Sequence, residues 1–286
     1  MSEQLLLNLD FSLVDVPAAT SENIPSLRTM DIHRAVLAWL VTAKAPGMAI
    51  KVPTRIPRFK ADVAAFWNRP IRNRGTVGPT KLLTPNETVI VECRRRREEC
   101  WPDFTKSSDL LPRLRELKET RQNLQADIRV TEPDLRETAT LFEEYSEWHY
   151  YRTQKSVYHD VHADIKKIET ALYKGTRFEK IRNARMADVL YLAVPERMVH
   201  PYELADGWGL IWIAQDLTAT VVSQAANNHG SPENHLHLVQ NIAAAALGPL
   251  LFSQGVYRQE DGCRFLPKPR RRRPRTVDSR GVKREA

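Results

Sequence analysis

A long stretch of this chain, 106–177, has no convincing strand pattern, yet strand-forming segments stand on both sides of it. Before it come 48–52 (MAIKV), 60–67 (KADVAAFW) and 88–94 (TVIVECR); after it come 188–194 (DVLYLAV) and 209–213 (GLIWI). Such segments are short, apolar and β-branched, bounded by Pro, Gly and Asn, as buried strands are. Within 106–177, Leu, Glu, Arg and Lys recur at helical spacing, predicting three helices at roughly 107–128, 132–152 and 156–174. Pro133 falls where the first turn of the middle one would be. A chain that leaves the strand pattern and returns to it points to one α/β core interrupted by a helical insertion.

The flanks complete that outline. Residues 1–28 read as an N-terminal arm with one short apolar run. Asp31 is expected to cap a helix carrying Ile32, Val36, Trp39 and Leu40 on one face. A last apolar helix is expected over 232–253. The expected organisation is arm (1–28), core (29–105), helical insertion (106–177), core again (178–258) and a disordered basic tail (259–286). Residues 68–87, rich in Pro, Gly, Asn and Arg, read as a long loop between two strands.

Charge is informative only once located. The chain carries 43 Lys/Arg and 35 Asp/Glu, a formal net charge of +8. Residues 264–286 hold ten Lys/Arg against Asp278 and Glu285, so the whole excess lies there and the body is balanced at 33 of each sign. Arg270, Arg271, Arg272 and Arg273 are therefore the expected electrostatic handle for nucleic acid. Three cysteines form no CxxC pair, and residues 1–15 lack the basic start of a secretory signal. No unbroken apolar run approaches a membrane span, so a cytoplasmic protein with no membrane partner is expected.

The residues that carry chemistry are Asp62, Glu92 and Arg94. Side chains two apart on a strand share a face, so Glu92 and Arg94 point the same way as Ile90, while Val89, Val91 and Cys93 point the other way. Asp62 shares its face with Lys60 and Ala64. If the two strands are neighbours, two carboxylates and a cation meet at one edge. Two carboxylates offer hard oxygen ligands to Mg²⁺ or Mn²⁺, and a nearby cation stabilises charge developing on a phosphate. Arg95 and Arg96 beside that edge, and Arg72 and Arg74 in the loop between the strands, are candidate phosphate contacts. The adjacent Glu98 and Glu99 equally suit a self-neutralised surface turn.

Three separated blocks resemble a known family. Residues 32–67 (IHRAVLAWLVTAKAPGMAIKVPTRIPRFKADVAAFW), 88–94 (TVIVECR) and 187–213 (ADVLYLAVPERMVHPYELADGWGLIWI) are similar, in order, to PD-(D/E)XK nucleases, especially bacterial DNA-repair nucleases of the MmcB kind. The resemblance implies a restriction-endonuclease-like mixed sheet flanked by helices. It also implies metal-dependent cleavage of DNA in repair or defence, with Asp62 and Glu92 as the metal-binding acids. The chain departs from the family in two places. Arg94 stands where lysine is usual, and arginine holds a phosphate but cannot act as a base, so Lys60, on the same face as Asp62, is expected to supply an ammonium instead. The opening helix also lacks an acid facing the site. A degenerate, non-cutting DNA-binding or scaffolding protein is the alternative expectation.

The remaining signals have plainer readings. Tyr145, Trp148, His149, Tyr150 and Tyr151 suit the packing of a helical hairpin, a protein partner docking there, or stacking of unpaired bases. His149, His159 and His162 lack neighbouring cysteines that would make a zinc site. His235 and His237 are expected at the surface or at a helix cap.

Overall fold

The computed structural model describes residues 27–56, 59–68, 85–101, 104–136, 148–260 and 262–267. Among the described residues the protein is α/β, with a six-stranded mixed sheet, five α-helices and a small hairpin. α1 (Thr29–Thr42) is followed by β1 (Gly47–Pro53), β2 (Lys60–Asn68) and β3 (Pro85–Cys93). The chain then forms α2 (Phe104–Thr131), α3 (Ser156–Tyr173) and α4 (Arg177–Asn183). β4 (Val189–Pro195), β5 (Trp208–Ile213), β6 (Ala219–Ser223) and α5 (Pro232–Ser253) come next, followed by a hairpin of β7 (Val256–Gln259) and β8 (Gly262–Phe265).

The sheet runs β1-β2-β3-β4-β5-β6 in sequence order. Its β1-β2-β3 part is antiparallel, β3-β4-β5 is parallel, and β6 returns antiparallel. The parallel step explains the helical stretch: neighbouring parallel strands need a crossover, and α2–α4 supply it between β3 and β4. Both faces are covered. α1 sets Ile32, Val36 and Leu40 against Val63, Val89, Val91 and Cys93. On the other face, Leu114 of α2, Ile165 of α3, Phe178 of α4 and Leu238 of α5 join Ala64, Phe66 and Ile90. The alternation expected for β3 is the one observed.

Several expectations are corrected. The cap of α1 is Arg28, and Asp31 lies inside the first turn, where its carboxylate pairs with Arg28. The described part of 132–152 is no α-helix. Pro133 opens a single 3₁₀ turn, Pro133–Leu135, and Arg136 then bridges to Trp148. Residues 262–265, assigned to a disordered tail, form β8 against β7. β6 and α4 were not foreseen.

α5 is long and apolar enough to cross a membrane by length and composition, with an 18-residue window of mean hydropathy 1.4. Asn234, His235, His237, Gln240 and Asn241 interrupt its apolar residues, so it contains no long unbroken apolar run.

A buried polar knot fastens the far end of β3. Asp188 accepts from the Thr88 amide (2.8 Å) and hydroxyl (2.8 Å), and from the Gly230 amide (2.7 Å). His235 of α5 is buried against Asp188 at 2.8 Å, so it is neither a surface nor a capping residue.

Candidate functional site

Asp62 and Glu92 lie side by side. The antiparallel register pairs Val63 with Val91, and one step further sets Asp62 against Glu92. The Asp62 amide donates to Glu92 Oε1 at 3.4 Å, and the Cys93 amide donates to Asp62 Oδ2 at 3.0 Å. Both acids are buried, Asp62 at 3% exposure and Glu92 at 0%.

Three cations surround them. Arg94 bridges the pair, its Nη1 2.8 Å from Asp62 Oδ2 and its Nη2 3.0 Å from Glu92 Oε2. Lys51 of β1 reaches Asp62 Oδ1 at 2.6 Å. Arg177, the first residue of α4, places Nε 2.5 Å from Glu92 Oε2 and Nη2 3.0 Å from Glu92 Oε1. Two rings hold the guanidinium groups in place: Phe178 lies 5.4 Å from Arg94, and Phe59 lies 4.1 Å from Arg177. Arg177 also donates to the Lys60 carbonyl.

Lys60 does not supply the expected ammonium. It is exposed at the start of β2, opposite Pro53, and among the described residues its ammonium pairs with neither acid. Lys51 takes that place because it falls opposite Asp62 in the register, between the pairs Ile50–Val63 and Val52–Ala61, where its backbone leaves the extended form at φ 53°. A lone lysine in an otherwise apolar strand was the available signal. Arg177 had none, since nothing in its neighbourhood ties it to strands distant in sequence.

Electrostatics differ between the two acids. Burial alone would raise Asp62, but Lys51, the Cys93 amide, Arg94 and Arg177 outweigh it and hold that carboxyl below the usual range. Burial dominates at Glu92, helped by the Asp62 charge, and raises it despite Arg177 and Arg94. His33 of α1 is buried with an unpartnered Nε2; burial lowers its pKa, and the Asp62 charge acts in the opposite direction.

The metal expectation meets an obstacle. Every carboxylate oxygen already accepts from a cation, and three cations against two carboxylates leave the centre at formal +1. Among the described residues no group of three or more His, Cys, Asp or Glu is placed to hold a metal ion. In this arrangement the residues do not fit Mg²⁺ or Mn²⁺.

Of the arginine run, only Arg94 faces the acids. Arg97 is tied to Glu203 (3.0 Å) and to the Met198 carbonyl (2.7 Å), and it lies over Trp101. Arg95 is half-buried, with its amide held by Glu99, while Arg96 is exposed. Arg72, Arg74 and Arg270 to Arg273 lie outside the described residues, as does Tyr145. Trp148 stacks on Tyr150 under Arg129 at the tip of the α2–α3 hairpin, away from the acids.

No protein-family model and no curated protein matches the chain. A solved structure, the SPO1766 protein of unknown function from Silicibacter pomeroyi, aligns with 80% of this chain and 92% of its own at 15% identity and a TM-score of 0.38.

Proposed function

We propose that the chain is a restriction-endonuclease-like protein that grips the DNA backbone through a metal-free phosphate clamp built on Asp62 and Glu92. The observation that carries this reading is the charge of the centre. Two carboxylates, one lysine and one divalent ion would sum to +1, and Lys51, Arg94 and Arg177 give the same sum with no ion. Arg94 and Arg177 offer planar donor forks suited to phosphate oxygens, and both are oriented by the acids they neutralise. The Lys51 side chain is 54% exposed and that of Arg177 30%, so these two present the positive charge to a ligand. Asp62 and Glu92 then act as positioning residues rather than metal ligands.

Metal-dependent endonuclease activity is the second reading, favoured by the pairing of two acids across neighbouring strands. It requires Lys51 and Arg177 to leave the carboxylates when Mg²⁺ or Mn²⁺ arrives.

One experiment separates the two. Binding to duplex DNA is followed by fluorescence anisotropy with EDTA or Mg²⁺, beside plasmid nicking with Mg²⁺ or Mn²⁺. The clamp predicts equal binding with and without metal, no nicking, and a salt slope reduced by about one for each of Lys51→Met and Arg177→Met. Metal-dependent nicking that disappears in Asp62→Ala and Glu92→Ala would instead establish the nuclease.

A further inference from the structure

The C-terminal part of the protein has features that the phosphate clamp does not use. The first half of α5 is committed to the fold: Leu238, Val239 and Ile242 pack into the core, and Asn241 donates to the Pro53 carbonyl at 3.0 Å. Beyond Ile242 the helix emerges. Ala243, Ala244 and Ala246 are exposed, and Leu250 and Phe252 stand 57% and 54% open. The hairpin continues this surface with Phe265 at 78% and Leu266 at 39%. It is fastened to the helix end, since the Leu266 amide donates to the Gly255 carbonyl at 2.8 Å and Tyr257 meets Phe252 edge-on. Large apolar side chains gathered at one end of a molecule mark a binding surface.

Charge lies beside it. Arg258 and Arg264 are exposed on the hairpin, and the entire +8 excess of the chain falls within 264–286. DNA would satisfy the cations but leave Leu250, Phe252, Phe265 and Leu266 in water. An apolar protein groove would cover those four and leave the cations without partners. A bilayer surface carrying anionic headgroups meets both requirements at once.

We propose that this end docks on an anionic lipid surface. The exposed half of α5 and the β7–β8 hairpin enter the headgroup boundary, with Arg258 and Arg264 of the hairpin beside the lipid phosphates. Because the first half of α5 is packed against the sheet, the helix lies on the membrane rather than crossing it. This departs from the expectation of no membrane partner, and it does not depend on the phosphate clamp.

The test is co-sedimentation of the full chain with vesicles of phosphatidylglycerol and phosphatidylcholine, or of phosphatidylcholine alone. Binding is expected to the anionic vesicles only and to fade with salt. It should fall about tenfold or more in Leu250→Ser/Phe252→Ser/Phe265→Ser and on removal of residues 268–286. Circular dichroism checks that the variants are folded. Failure to bind anionic vesicles, equal binding to phosphatidylcholine, or undiminished binding by the serine variant would overturn the proposal. So would a dimer in light scattering that the serine substitutions convert to a monomer, because a second copy would then be the natural cover.

Discussion

Replacing Arg94 with methionine tests whether the acids are held as charges. Among the described residues Arg94 is the one cation that hydrogen-bonds both carboxylates, Arg177 reaching Asp62 only at 3.9 Å, and its side chain is only 13% exposed. Methionine keeps much of the stem but removes the fork that lies over Phe178. Glu92, fully buried, would keep Arg177, while Asp62 would keep Lys51 and the Cys93 amide. Breaking a buried ion pair from one side costs about 3–5 kcal/mol because the abandoned charge has no water to turn to. For a protein of this size that is a fall in Tm of roughly 6–20 °C. Lys51→Met removes a contact of similar length, but the Lys51 side chain is 54% exposed, so screening limits the loss to about 1 kcal/mol or less. The assay is urea and thermal unfolding of both variants near neutral pH. Comparable small losses would refute the reasoning, because they would mean that Glu92 already carries a proton and Arg94 neutralises little.

Other outcomes follow from the same geometry. Asp62, held low, contributes stability that is present above the unfolded Asp value and lost as pH falls through its folded value, so Asp62→Asn should flatten the acid limb of Tm against pH. Glu92, held high, retains a proton in the folded state longer than in the unfolded one. Stability therefore declines as pH rises through that window, and Glu92→Gln should remove the decline, as differential scanning calorimetry across pH would record. Asp188→Ala strands the Thr88 and Gly230 amides and His235, and should cost about 3–5 kcal/mol in urea unfolding without changing DNA affinity per folded molecule. Gly209→Ala puts a methyl 2.3 Å from the Tyr191 ring and 2.7 Å from the Ala225 backbone nitrogen, so a loss of about 1–3 kcal/mol is expected in the same assay.

Local pattern made much of this legible in advance. The five strand segments that carry the core were readable because β-branched and apolar runs ended at Gly and Pro, and the face-sharing of Ile90, Glu92 and Arg94 followed from pleat alone. The adjacency of Asp62 and Glu92 needed the register, which sequence spacing does not supply, so the alternation made it an expectation only on condition that the two strands are neighbours. Lys51 escaped because its place opposite Asp62 comes from the pairing of β1 with β2, which no propensity for lysine reports. Arg177 and His235 escaped for a different reason. Their partners, Glu92 and Asp188, lie 85 and 47 residues away, so only tertiary closure creates the contacts. In the described part of 132–152 a 3₁₀ turn stands in place of the expected helix, because composition suited to a helix does not oblige one.

The parallel pairing of β3 with β4 also bears on how such a chain tolerates changes of length. After Cys93 the polypeptide has to travel back along the sheet before Val189 can begin, and on the way it roofs Ile90, Leu190 and Leu192 with Leu114, Ile165 and Ile181. A shortcut linker could make the journey but would leave that roof missing. Additions and deletions between copies of this architecture should therefore gather at the turn joining α2 to α3, while the α4 end, which also carries Arg177, stays constant in length.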